Sequence, residues 1–508
     1  MYNLIYKKIL PLSLAVFTLA GTGCNKIKDF GDINTNPSGV SSPNLAALLT
    51  NVESGIAGYA SGTSVTRPGN YAQYNSETQY TDVSLYNSPQ LDFSGNYSGG
   101  LMDLQNIINR NSDPATAAAN TVYGSNNNQI AVARILKAFS FWNIVDRWGP
   151  IPYFGALNLT VPAYDSEESI YKDMIKELTE AVAQFDNGDP VKGDIIYGGN
   201  NAKWKKLANS LRMLMALRLS KVYPNAGDYA ATQFAAAASN VNGYINSNAD
   251  NFTVAYPGGG YKNPWFNLFD GRKDHAESKT MTDLLNGLGD TRISAFGANT
   301  AGFPYGLVRA DAVTVPEPWP LILSDANRME NSPIVIVSAS QSLLAYAEAV
   351  ERGWLASLVP APTTADAQTA YNNAVTLSFA RWGITIPGTY LTGAASYTSG
   401  AGVAAIGQNS FGSIPAGSNA TTTTKIQRIQ LQRYIATYPD GNQAWAEWRR
   451  TGVPGILPTT FATNSSKQIP RRYTYGLLEY SLNAAGVAQG IAGLTGGDTQ
   501  DTRIWWDK

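Results

Sequence analysis

The 508-residue sequence holds one cysteine, Cys24, and one histidine, His275. A single cysteine rules out an intramolecular disulfide. A single histidine removes multi-histidine metal sites and leaves little room for an imidazole triad. His275 lies in FDGRKDHAES, a charged stretch expected to form a solvated loop or helix start. Charged residues are only 15% of the chain and the formal net charge is −1. That is not the basic footprint of a nucleic-acid binder, so no nucleic-acid partner is expected. The G-x-S-x-G elbow, the P-loop, H-E-x-x-H and the EF-hand loop are all missing. DNGDPVKGD (186–194) suits a turn or a weak calcium site, and no cofactor is expected. Past the N-terminus no apolar run approaches the ~18 residues that a membrane-spanning helix needs.

What is present begins with an export pattern. Lys7 and Lys8 precede the apolar run ILPLSLAVFTLA (9–20), and the small residues GTG lead into Cys24. The run is too short to span a bilayer but suits a signal-peptide core. Small residues directly before a cysteine mark a bacterial lipoprotein cleavage site. Residues 1–23 would then be a signal peptide, with Cys24 lipidated. Leu19 stands five residues before Cys24, which also leaves room for a plain secretory signal with an incidental cysteine. Residues 24–43 are polar and rich in turn formers, as a tether should be.

From residue 44 onward helical periodicity dominates. The spacing predicts helices in 101–111, 128–149, 166–186, 202–222, 338–354, 365–383 and 443–454. Ser166 and Ser169 beside several acids make a strong helix start. AKWKKLANSLRMLMALRLSKV places Trp204, Leu207, Leu211, Leu214 and Leu217 on a core-facing stripe. The pair 338–354 and 365–383 is similar to a tetratricopeptide helix–turn–helix, in which small residues allow close approach and aromatics fill between pairs. The fold class expected is mainly α: tetratricopeptide-like helix pairs as scaffold, long loop-rich insertions near 61–98, 223–337 and 384–424, and little β. Arg449, Arg450, Arg471 and Arg472 fit either an anion clamp or a structural network holding the C-terminal segment to the helices.

The insertions carry the functional signal. They pair aromatic rings with Asn, Ser, Gln and Gly. A sugar offers C–H groups on its face and hydroxyls at its rim; a ring packs on the first, and polar side chains bind the second. The candidate ligand residues are Tyr71, Tyr74, Tyr80, Asp82 and Tyr86 from the first insertion. Trp265, Phe266, Tyr305 and Trp319 come from the second. Any of these rings could instead anchor its own loop. A glycosidase would need two carboxylates facing one cleft; Asp82, Asp92, Asp270, Asp274 and Glu277 lie near the aromatic stretches.

The segments DINTNPSG, DRWGPIPYFGAL, YDSEESIYKDMIKELTEAV, GDIIYGGNNAKWKKLANSLRMLMALRLS, LLAYAEAVERGW, WAEWRRTGVP, IPRRYTYGLLEY and GGDTQDTRIWWD follow one another along nearly the whole mature chain. In this order they resemble the SusD/RagB-like family of outer-membrane nutrient-binding lipoproteins, in the variant with a second type of SusD-like domain. The resemblance implies a single domain over 44–508 with four tetratricopeptide-like pairs supporting a looped, ligand-facing half. It implies an outer-membrane, lipid-anchored, cell-surface protein without catalytic activity. The implied partner is a TonB-dependent barrel transporter of the SusC/RagA-like kind, and the implied ligand an oligosaccharide, or a peptide in some members. A surface glycoside hydrolase on the same scaffold is the alternative reading.

Overall fold

The computed structural model describes residues 43–87, 90–158, 161–297, 301–392 and 424–508. The signal segment, Cys24 with its tether up to residue 42, and residues 393–423 of the last insertion lie outside the described residues. Residues 45–508 form one compact unit.

Leu45–Ile56 is α1, Thr63–Tyr71 α2, Asn75–Glu77 β1, Met102–Ser112 α3 and Asn126–Trp148 α4. Glu167–Gln184 is α5, Asn201–Arg218 α6, Tyr229–Ala238 α7, Phe252–Val254 β2, His275–Glu277 β3 and Lys279–Leu288 α8. Ile334–Val337 is β4, Ala339–Glu351 α9, Thr364–Arg381 α10, Thr424–Thr437 α11 and Gly441–Thr451 α12. Sequential helices pack as pairs, α4 on α5, α6 on α7, α9 on α10 and α11 on α12. The pairs join through α5 with α6, α6 with α9 and α9 with α11. This is the expected mainly α, tetratricopeptide-like architecture. Among the described residues no helix is long and apolar enough to cross a membrane.

Local chemistry sets the helix ends. The Ser166 hydroxyl accepts from Ser169 N at 3.2 Å and starts α5, and Glu167 and Glu168 in the first turn suit the positive end of the helix dipole. Its stripe of Ile170, Met174, Ile175, Leu178, Ala181 and Val182 is buried. Ser338 and Gln341 form a reciprocal capping box on α9. Asp440 caps α12, which stops at Gly452 with φ +70°, a conformation glycine adopts without strain. Trp204 and the four leucines of α6 are buried as the periodicity requires.

Three sequence expectations are revised. The stretch 61–98 reads as loop from its aromatics set among Asn, Ser, Gln and Gly, yet it holds α2. Packing on α12 overrides the weak propensity: a Cβ on Gly441 would overlap Val65 O and the backbone of Gly69. The insertion read from residue 223 includes α7, the scaffold partner of α6. His275 is neither solvated loop nor helix start; it lies on β3, and burial pushes its imidazole down to about 4.

A seam of buried charge ties the scaffold together. Glu348 on α9 and Glu447 on α12 are met by Arg450 (2.8 Å to each), Arg433 (3.0 Å to Glu447) and Arg218 (3.3 Å to Glu447). The other three C-terminal arginines also bind protein. Arg449 donates to Arg471 O and Asp146 O, Arg471 pairs with Asp507, and Arg472 pairs with Asp498 and donates to Trp148 O. They form the structural network.

Candidate functional site: an aromatic face

β1 and β3 form a two-stranded antiparallel sheet with Asn75 opposite Glu277 and Glu77 opposite His275. The chain beyond β1 loops over residues 78–87, and the chain beyond α8 returns beside β3, where Phe303 N donates to Glu277 O at 2.8 Å. Gly302 permits this approach, since a Cβ there would overlap the Ser278 carbonyl. A small apolar cluster of Ala276, Phe303 and Ala312, with Leu307, Val315 and Trp319 against it, covers this region separately from the main core.

The 78–87 loop is held from beneath. The Glu77 carboxylate accepts from Ser84 N (2.9 Å), and Ser84 Oγ donates to Asn70 Oδ1 at 2.9 Å while lying 3.2 Å from the same carboxylate. Burial raises the Glu77 carboxyl to about 7 in spite of the Ser84 hydrogen bonds. Gln500 Nε2 donates to Tyr86 O at 2.9 Å, and Thr463 N to Leu85 O at 2.7 Å. The loop therefore sits on a fixed base.

The nine sequence candidates divide by burial. Tyr71, Tyr74, Tyr86 and Trp265 are at most 2% exposed. The ring of Tyr71 packs with Tyr86, Trp445 and Tyr473, and that of Tyr74 with Tyr434 and Tyr438. These four rings present no open face and serve the core beneath the loops. The Tyr86 hydroxyl, raised by burial to about 12, accepts from Tyr305 (3.4 Å) and Thr459 N (3.2 Å). Tyr80, by contrast, is 58% exposed, Asp82 is exposed beside it, and Tyr305, Trp319 and Phe266 are half-buried.

The short helix Arg309–Ala312 links Tyr80 to the cluster that holds Trp319. The Arg309 guanidinium lies 5.6 Å from the centre of the Tyr80 ring, and Ala312 packs in the cluster with Phe303, whose ring meets Trp319 edge-on at 5.4 Å. Tyr305 joins the two segments through Tyr86. Phe266 stands on a different element, Pro264–Leu268, with Lys262 4.9 Å from its ring centre. Sequence reasoning missed Arg309 and the third segment, where Leu457 and Phe461 are exposed. Thr459 of that segment donates to Gly306 O at 2.7 Å. The signal was available in LPTTFATNSS, an aromatic residue set in a polar loop.

The acids near this face differ in state. Asp274 pairs with Arg272, while among the described residues both oxygens of the fully buried Glu277 lack a hydrogen-bond partner, and burial holds its carboxyl well above the ordinary range. Asp92 accepts from Ser94 N at 2.8 Å as a turn cap. In DNGDPVKGD the Asp194 carboxylate accepts from Ile196 N, Tyr197 N, Gly199 N and Trp204 Nε1, so its lone pairs are spent on the turn.

The family described as "Starch-binding associating with outer membrane" matches residues 37–476. The chain belongs to this SusD-like family. Three solved structures show the same fold. The SusD-like chain is 26% identical to a chitin-binding protein, with 92% of this chain and 100% of that one covered and a TM-score of 0.71. A SusD homologue of Bacteroides uniformis matches at 24% identity over 91% and 99%, with a TM-score of 0.71. A chitin-binding SusD homologue of Flavobacterium johnsoniae matches at 22% identity over 91% and 98%, with a TM-score of 0.70. The SusD-like chain matches no curated protein.

Proposed function

We propose that this SusD-like protein is a non-catalytic, cell-surface lipoprotein. It captures oligosaccharide on the face formed by residues 78–87, 302–320 and 456–463 and passes it to a TonB-dependent barrel transporter. The observation that carries the reading is Tyr80, a ring left 58% exposed on a loop whose base is held by hydrogen bonds from Ser84 to Glu77 and Asn70. Holding a large apolar ring in water costs stability, and a ring held there rigidly binds a flat apolar face at little entropic cost. Trp319 and Tyr305 extend the surface, and Asp82 and Arg309 supply groups for hydroxyls. Phe266 lies beyond the group and is a secondary contact at most. Family membership supports the glycan ligand class, and the two chitin-binding relatives favour chito-oligosaccharides as the first to examine. The burial of Glu277 favours binding over hydrolysis, because a general acid or base must reach the substrate.

Anchoring through Cys24 completes the reading: several acyl chains on one residue hold a protein to a membrane where a single chain is marginal. Calorimetric titration with chito- and malto-oligosaccharides tests the ligand class. Affinity purification from the native outer membrane tests the barrel partner. If neither glycan series binds and no barrel copurifies, the reading fails; binding of peptides alone would transfer the same face to the peptide class.

A further inference from the structure

A second cleft, of about 370 Å³, opens between α1, the segment Gly95–Gly100 and α4. It shares no lining residue with the aromatic face. Its polar lining is Asn51, Tyr59, Ser64, Asn96, Ser140 and Arg147. Among the described residues Arg147 is the one charged residue that lines it, and it is 7% exposed, while Asp103 stands behind Asn51 and accepts from its Nδ2 at 2.8 Å.

The state of that guanidinium is unusual. Its Nε donates to Asn143 O at 2.7 Å, and its plane lies near the rings of Trp148 (4.8 Å) and Tyr59 (5.8 Å). Among the described residues no ion pair joins it to a carboxylate, in contrast to buried Arg218, Arg292, Arg450 and Arg472. The two acids that influence it across the core are committed elsewhere. Asp440 caps α12 by accepting from Gln443 N at 3.1 Å, and Asp146 accepts from Trp506 Nε1 at 2.9 Å and faces Arg218 at 3.5 Å. A buried cation needs a counter-charge or a dense set of acceptors, and its own fold supplies little of either.

We propose that this cleft binds a carboxylated sugar, with Arg147 holding the carboxylate and Asn51 Oδ1 and the Ser64 and Ser140 hydroxyls meeting the sugar hydroxyls. Asn96 is committed to Phe93 O and Tyr59. A single guanidinium balances one negative charge and matches the fork of a carboxylate. A phosphate dianion would need a second cation, and none lines the cleft. The glycines leave the space open: a Cβ added at Gly55, Gly58 or Gly95 would meet no protein atom within 4 Å.

The test uses the purified full-length chain, titrated calorimetrically with D-glucuronate, D-glucose and inorganic phosphate at constant ionic strength. Glucuronate should bind saturably at one site while glucose and phosphate do not. Gly58→Leu, whose Cβ meets no protein atom within 4 Å and whose side chain occupies cleft space, should abolish binding and leave the melting curve unchanged. Arg147→Met should weaken binding about tenfold or more, and Arg147→Lys by less. If Arg147→Met does not fold, Gly58→Leu and Arg147→Lys decide. No saturable glucuronate binding, equal binding of phosphate, or binding that survives Gly58→Leu would overturn the assignment.

Discussion

Arg450 meets Glu348 through two parallel hydrogen bonds of 2.8 Å, Nη1 to Oε1 and Nη2 to Oε2. Both side chains are at most 1% exposed, and the pair joins α12 to α9 across the scaffold.

Removing Arg450 leaves the buried Glu348 carboxylate to Arg352 and Gln430 alone, and Glu447 without its 2.8 Å partner. Arg450→Met is expected to destabilise the fold by about 3–5 kcal/mol. The double variant Arg450→Met with Glu348→Gln should recover part of that loss by removing the poorly compensated charge, and only part, because Arg352 then loses its own partner. Denaturant titration of the three variants measures the coupling, and simple additivity would refute it.

The same seam sets the acid limit. Burial alone would raise both carboxyls. The surrounding guanidiniums outweigh it, Arg450 and Arg352 holding Glu348 well below the ordinary range and Arg433, Arg450 and Arg218 holding Glu447 at about 2. A carboxyl lowered in the folded state contributes stability above its unfolded value, and the contribution disappears as pH falls through the folded value. Melting temperature should therefore drop as pH falls from about 4.5 towards 2. Glu447→Gln should flatten that slope.

Glu167 acts in the opposite direction. Burial raises its carboxyl to about 8, although it accepts from Trp505 N at 2.9 Å. A carboxyl raised in the folded state gives stability that is complete below its unfolded value and lost as pH rises through the folded one. Stability should decline between about pH 4.5 and 8. Glu167→Gln keeps an acceptor for Trp505 N and should remove part of the decline in a series of thermal melts.

Exposed and buried rings of the aromatic face should separate cleanly. Tyr80→Ala and Trp319→Ala are expected to weaken oligosaccharide binding about threefold to tenfold each, and Tyr80→Ala should leave the melting temperature within a degree or two of wild type. Tyr71→Ala should cost about 3–5 kcal/mol of stability, because it opens a cavity among Tyr86, Trp445 and Tyr473. Paired calorimetry and thermal denaturation distinguish the two classes.

Cys24→Ser should move the protein from the membrane fraction to the soluble fraction with its melting curve unaltered, as expected if the acyl chains are the only attachment. Immunoblotting of fractionated cells reads the outcome, and retention in the membrane would remove the anchor from the proposed function.

The scaffold was legible because helical periodicity is local. Trp204, Leu207, Leu211, Leu214 and Leu217 repeat at helical spacing, and Ser166 announces a helix start through a hydrogen bond that spans only three residues. α2 was not legible: its stretch, with aromatics set among Asn, Ser, Gln and Gly, argues for a loop, and the close approach of Gly441, more than 370 residues away, decides otherwise. α7 escaped for a similar reason, since an alanine-rich run gains its place from α6 rather than from its own pattern.

The candidate site divides the same way. Composition and order along the chain determined that two aromatic-rich insertions exist and that a helical scaffold carries them. They could not distinguish Tyr80 from Tyr71, because both stand among the same polar neighbours in sequence. Exposure belongs to the tertiary structure: Tyr71 meets Trp445 and Tyr473 from the far end of the chain and is sealed, while Tyr80 meets Arg309 and keeps its face to solvent. Arg147 shows the same limit. Its place in DRWGPIPY marks a helix end, but only packing reveals a cation that, among the described residues, pairs with no carboxylate beside an open cleft.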